Sequence, residues 1–283
     1  MTMNIINYLH SNKTKQQIME LISENIINIW KIDSQENINY FAASIYNWFI
    51  KECINYNQYI EFTESQTDVL KTLYKTLIQS LKKVPPELMN IHIEKIVKKH
   101  RTKLLKIMLE IFSDQNEIAQ RKLCSEYSCK LQKQILRLEI NELLEPILDI
   151  GCGGKAFFVK ECMNNKKEVI GMDQYIIQEL NNIICKNWLE FDYEMEKCGS
   201  FISQMAFTNH YKYHIVHQTN YMSRYKEKYI EILNSLKIGG SFYYSPSIPE
   251  IEQKLDIRKY KMNSFDNIVN NINIGSVKII KIK

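Results

Sequence analysis

The first 150 residues of this 283-residue chain contain no glycine, and all eight glycines fall from Gly151 onward. Tight hairpin turns usually need residues with φ > 0, so a glycine-free stretch of this length is a poor source of β-hairpins. Before Pro146 the only prolines are the Pro85-Pro86 pair. Apolar residues recur there at helical steps, in Ile18, Leu21, Ile22 and Ile26 and again in Ile45, Trp48, Phe49 and Ile50. Ser65 to Lys83 and Pro86 to Phe112 read as two long amphipathic helices, the second entered through a proline suited to a first helical turn. Gln115 to Leu144 reads as a further helix, with Cys124 and Leu131 on its buried side. Residues 1–141 are expected to form an all-α domain, and 142–283 a second domain of different texture.

From Pro146 short apolar runs alternate with helical stretches. Strands are expected at 147–150, 168–172, about 183–188, 200–204 and 241–245, with Tyr225 to Leu236 as a helix stopped by Lys237-Ile238-Gly239-Gly240. The runs Tyr260–Phe265 and Ser276–Lys283 have no helix between them, which suggests an antiparallel edge. Alternating strands and helices imply an α/β fold with a mostly parallel, doubly wound sheet.

The functional signal lies where that texture begins. Ile147 to Ile150 is a short buried strand, Gly151-Cys152-Gly153-Gly154 is a turn, Lys155 to Met163 is a helix, and a second strand closes on Asp173. Glycines at a strand-to-helix turn let a ligand approach the backbone, and the N–H groups of the helix that follows favour negative charge. An acid about 20 residues further on can accept both hydroxyls of a ribose. This geometry implies a nucleoside cofactor.

Composition excludes little. A net charge of +5 over this length is mild, so nucleic-acid binding is permitted but not indicated. Seven cysteines without a CxxC pair read as reduced thiols, and no apolar run approaches the ~18 residues of a membrane span, so a cytoplasmic protein without membrane contact is expected.

The ordered set ILDIGCGGKAFF (147–158), VIGMD (169–173), SFISQ (200–204) and YIEILNSLKIGGSFYYSPS (229–247) resembles the class I S-adenosylmethionine-dependent methyltransferases. The resemblance covers roughly residues 142–283. It implies a Rossmann-like seven-stranded methyltransferase sheet preceded by the all-α domain, with S-adenosyl-L-methionine as cofactor. It also implies that Asp149, Gly151, Cys152, Gly153, Gly154 and Lys155 cradle the methionine end. Asp173 would then take the ribose hydroxyls, Asn187 and Trp188 would flank adenine, and Gln174 and Ser203 would be further cofactor-binding residues. Two departures stand out. Lys155 occupies the position of the family's third loop glycine, where its side chain either pairs with the cofactor carboxylate or faces solvent. The third strand ends either at Asn187-Trp188 or at Asp192, and Trp188 is either an adenine neighbour or a core anchor.

Methyl transfer asks the protein mainly to position an acceptor in line with an activated methyl group, and a protonated acceptor also needs a base. The loop after the fourth strand, Ser203 to His214, is the place to look, and three of the six histidines sit at 210, 214 and 217. One reading makes His210 the general base, with Asn209 and Tyr211 orienting the acceptor and His214 beside it. A second makes the three imidazoles a zinc site, and a third gives them no chemical role. Tyr244 and Ser245, at the end of the fifth strand, are further substrate-contact candidates. No NPPY tetrapeptide or Pro-Cys dipeptide points to base methylation by those routes. The sequence thus implies O- or N-methylation of a small-molecule acceptor. The alternatives are an RNA or protein acceptor, aminocarboxypropyl transfer, or a non-catalytic subunit on the same fold.

Overall fold

A computed structural model describes residues 11–113, 127–174, 181–194, 197–269 and 272–283, together with Ile6 and Leu9. It divides into two compact units, Met1–Leu123 and Cys124–Lys283.

The first unit is helical. Its helices are α1 (Asn12–Trp30), α2 (Gln35–Tyr56), α3 (Glu64–Lys82) and α4 (Met89–Ser113). Three starts are capped by hydroxyls: Ser11 accepts from Thr14 N, Ser34 from Asn37 N, and Thr63 forms a capping box with Gln66. Pro85-Pro86 breaks the chain between α3 and α4, and a short 3₁₀ turn, Pro86–Leu88, feeds α4. Met89, Ile93, Val97, Leu104, Met108 and Ile111 form the buried stripe of α4, and Leu70, Leu73, Leu77, Ile78 and Leu81 that of α3. The α1 and α2 stripes are narrower than the sequence suggests. Leu21 and Trp48 are exposed, while Ile22, Ile26, Phe49 and Ile50 carry the core.

The second unit is a seven-stranded sheet in the order β3-β2-β1-β4-β5-β7-β6. Its strands are β1 (Ile147–Ile150), β2 (Val169–Asp173), β3 (Ile183–Cys185), β4 (Cys198–Gln204), β5 (Leu236–Ser245), β6 (Tyr260–Val269) and β7 (Ile272–Lys281). The first five run parallel, and β7 lies antiparallel to both β5 and β6. The helices are α5 (Cys129–Leu136), α6 (Phe157–Asn164), α7 (Phe207–Val216), α8 (Tyr221–Ser235) and the short α9 (Pro249–Glu252). Strand alternation splits the core between two faces. Leu148, Ile150, Phe201 and Phe242 pack with Tyr229, Ile232 and Leu233 of α8, while Ile147, Ile202 and Tyr243 pack with Phe158, Val159 and Cys162 of α6.

Four expectations change. The helix drawn over Gln115–Leu144 is only α5 among the described residues, because Arg137 turns left-handed (φ 48) after Leu136. That segment belongs to the sheet, since Ser276 donates to the Ile135 carbonyl at 2.7 Å and Asn267 does so at 2.9 Å. The compact unit accordingly starts at Cys124, before the expected boundary at 141/142, and Cys124 itself lies outside the described residues. The third strand stops at Cys185, short of both expected ends. The LKIGG run does not terminate a helix: Leu236 is already extended, and the run opens β5 as a bulge between the pairs Cys198↔Leu236 and Ser200↔Ser241.

Candidate functional site

The strand order reverses beside β1, with β2 on one side and β4 on the other, so the loops leaving β1 and β4 diverge from a common crevice at their carboxyl ends. The β1 loop is shaped by Gly151 (φ 78) and Gly153 (φ 72). A Cβ on Gly151 would lie 2.2 Å from that of Ala206, so this glycine is also where the β1 and β4 loops touch. The Gly153 N–H donates to Asp173 Oδ2 at 3.0 Å, which ties the glycine turn to the end of β2. Cys152 is buried, and its sulfur lies 2.8 Å from where a Gly171 Cβ would sit; it packs β1 loop against β2. Gly154 is half-buried beside it. Lys155 is exposed and stands in the loop instead of the first helical turn, because Ala156 is left-handed (φ 46) and α6 begins at Phe157. Its ammonium lies over the Phe157 ring at 5.7 Å.

Asp149 is only 2 % exposed, and burial, reinforced by the neighbouring Asp173 carboxylate, pushes its pKa up to about 8. A raised carboxyl pKa stabilises the fold fully below the unfolded value, near 4, and the contribution is lost as pH rises to about 8. We therefore expect the stability of this unit to fall between pH 5 and 8, by an amount on the order of a few kcal/mol, and its thermal midpoint to fall with it. Asp149→Asn should flatten that slope; thermal unfolding of both proteins across pH 5–9 checks it.

The other residues singled out in the sequence are placed as follows. Gln174 follows β2 and its carbonyl lies 3.5 Å from the Cys185 sulfur. Asn187 Oδ1 accepts from Leu189 N at 2.7 Å and so closes a local turn. Trp188 is buried: Nε1 donates to the Tyr225 hydroxyl at 3.1 Å, and the ring meets His210 edge-on at 4.9 Å. It is a core anchor whose edge supports His210. Ser203 is fully buried, donating to Ile150 O and accepting from Phe207 N, both at 3.1 Å, so its hydroxyl joins β1 to the start of α7. Asn209 and His210 are half-buried in the first turn of α7.

Four expected acceptor contacts are instead inside the protein, because the apolar stripe of α7 and the alternation of β5 point them there. Tyr211 is buried and stacked on Tyr225, with burial pushing its pKa up to about 12. His214 is buried, shares a 2.7 Å hydrogen bond with Thr219 and stacks on the same Tyr225. The Tyr244 hydroxyl is held by Tyr229 at 2.8 Å and by Glu252 at 2.9 Å. Ser245 donates to Gly275 O at 3.0 Å, which fastens β5 to β7. Among the described residues no group of three or more His, Cys, Asp or Glu is placed to hold a metal ion, and no helix is long and apolar enough to cross a membrane.

The residue that sequence reading passed over is Gln204, the last of β4. It is 8 % exposed, and neither Nε2 nor Oε1 has a hydrogen-bond partner among the described residues. Thr208, four residues on, is fully buried with an equally unpartnered hydroxyl. The available signal was an amide closing a strand whose other residues are core.

No family model matches the chain, and no curated protein matches it. Solved structures do. An rRNA methylase from Streptococcus thermophilus is 15% identical, with 56% of this chain and 99% of that chain covered and a TM-score of 0.38. The N-methyltransferase NodS from Bradyrhizobium japonicum WM9 is 12% identical over 54% of this chain and 96% of its own, with a TM-score of 0.38. A second structure of NodS, in complex with S-adenosyl-L-homocysteine, gives 12%, 54%, 87% and 0.40. Five parallel strands whose order reverses beside β1, completed by an antiparallel β7 inserted between β5 and β6, give Cys124–Lys283 a mixed seven-stranded α/β sheet of the Rossmann-like kind.

Proposed function

We propose that the protein is an S-adenosylmethionine-dependent methyltransferase acting on O or N of a small-molecule acceptor. The observation that carries the reading is the joint between Gly153 and Asp173, with buried Asp149 on the same edge. A buried Asp149 whose proton affinity is raised by burial and by the neighbouring Asp173 carboxylate suits a ligand bearing positive charge, and the cofactor has both a sulfonium and an ammonium.

When bound, the cofactor supplies an electrophilic methyl group. Asp173 would accept the ribose hydroxyls while keeping the glycine turn in place. Asp149 would counter the ammonium as a carboxylate. His210, propped on the Trp188 edge, would take the acceptor proton, and Asn209 beside it would orient the acceptor. Calorimetric titration with S-adenosylmethionine tests the assignment, and absence of saturable binding by the wild-type chain would sink it.

A second reading, an RNA acceptor, is favoured by one observation. From Lys71 to Lys106 there are ten basic residues and two acidic ones. Of the basic residues, Lys71, Lys83, Lys95, Lys98, Lys99, Lys103 and Lys106 are exposed. Lys103 and Lys106 border a cleft of about 280 Å³ between α3 and α4 that also exposes Thr72 and Thr76. Phosphate contacts are read as the slope of log K against log salt, about −0.9 per contact. If this face holds RNA, replacing Lys99, Lys103 and Lys106 with Gln should reduce that slope by about 2–3. RNA binding too weak to measure at low salt would dispose of this reading.

A further inference from the structure

The carboxyl edge of β4 contrasts two neighbouring polar side chains. Ser203 has its donor and its acceptor used by the protein, on Ile150 O and Phe207 N. Gln204 is also buried, yet among the described residues both ends of its carboxamide lack a partner, as does the Thr208 hydroxyl four residues later. Burying an amide without hydrogen bonds is costly, so native proteins rarely keep one without a use for it. By register the side chain lies on the same face of the sheet as Asp149. Asp149 pairs with Ile202, and two residues further along β4 the alternation returns to the same face at Gln204.

We infer that Gln204 reads the methyl acceptor. A carboxamide presents a donor beside an acceptor in one plane, and its complement is a planar edge offering an acceptor beside a donor. A ring nitrogen next to an amine has this edge, and so does another carboxamide; glutamine uses the same two-point pairing on adenine. The acceptor class is therefore a heteroaromatic amine or an aryl carboxamide, and Thr208 provides a third polar contact beside it. This rests on the methyltransferase reading for the chemistry performed, but the pairing itself is independent of it.

The test uses the full chain saturated with S-adenosyl-L-homocysteine and labelled with ¹⁵N in glutamine side chains, the Gln204 resonance being assigned by its loss in Gln204→Leu. 2-Aminopyridine and nicotinamide are the probes, and pyridine is the control. The Gln204 resonance should shift saturably with both probes and not with pyridine, and Gln204→Leu should weaken probe binding by at least about tenfold. S-adenosyl-L-homocysteine affinity should stay within about twofold in the variant. Its Tm should rise by roughly 2–6 °C, because two orphaned polar atoms have been replaced by methyl groups. A lower Tm would mean that the amide has a partner within the protein. A resonance that moves on adding S-adenosyl-L-homocysteine alone would assign Gln204 to the cofactor, and no response to either probe would leave it satisfied by buried water; each overturns the inference. If S-adenosyl-L-homocysteine does not bind at all, the methyltransferase reading fails by itself, and the same titrations on the unliganded chain still decide the role of Gln204.

Discussion

Asp173→Ala is expected to weaken S-adenosylmethionine binding by two orders of magnitude or more. Hydrogen bonds to a charged acceptor contribute about 1.5–3 kcal/mol each, and this carboxylate would hold two ribose hydroxyls. The substitution also removes the acceptor of the 3.0 Å bond from Gly153 N–H, which loosens the glycine turn that must meet the rest of the cofactor. A second consequence separates this reading from a general loss of structure. Asp173 is one of the two causes of the raised Asp149 pKa, so in the variant the pH at which Asp149 ionises should move down from about 8. Calorimetry gives the affinity, and the pH dependence of thermal unfolding gives the ionisation. Unaltered cofactor affinity in Asp173→Ala would remove the basis for placing a ribose at this edge.

Gly151→Ala should be among the most damaging single substitutions in the sheet unit. Its φ of 78 is strained for alanine, at about 1–2 kcal/mol, and its Cβ would lie 2.2 Å from that of Ala206. Overpacking of that kind costs a further 1–3 kcal/mol, for a total near 3 kcal/mol and a Tm lowered by roughly 6–12 °C. Gly239→Ala is the internal control. Its φ is 83, but nothing lies within 4 Å of the added carbon, so only the conformational part remains, about 2–8 °C. Equal losses at the two positions would show that the contact between the β1 and β4 loops is unimportant.

Much of the fold was legible because it depends on local chemistry. The strand Ile147–Ile150, the glycine turn and the acid closing β2 are each written in a few consecutive residues, and the hydroxyl caps of α1 to α3 sit directly before apolar stripes. Boundaries that depend on distant partners were not legible. Nothing in LEINELLEP marks Arg137 as left-handed, since α5 ends where Ile135 meets Asn267 and Ser276, more than a hundred residues away in the chain. LKIGG reads locally as a helix stop and becomes a strand because β4 is there to pair with it.

The site divides along the same line. The residues expected to hold the cofactor lie mostly in two short loops, and Gly151, Gly153, Asp149 and Asp173 do meet at one edge. On the acceptor side polarity does not mean exposure. Tyr211 and His214 stack on Tyr225, His214 also shares a hydrogen bond with Thr219, and the Tyr244 hydroxyl is held by Tyr229 and Glu252. Gln204 shows the reverse, an ordinary amide in sequence that burial turns into an unpaired one.

The sequence alone determined the class of fold, with its helical first stretch and its alternating strands and helices after Pro146, because propensity, turn chemistry and strand alternation act over a few residues. Only the tertiary structure decided which polar groups are satisfied and which are not. A hydrogen-bond partner can come from anywhere in the chain, and its absence can be seen only once every neighbour is in place.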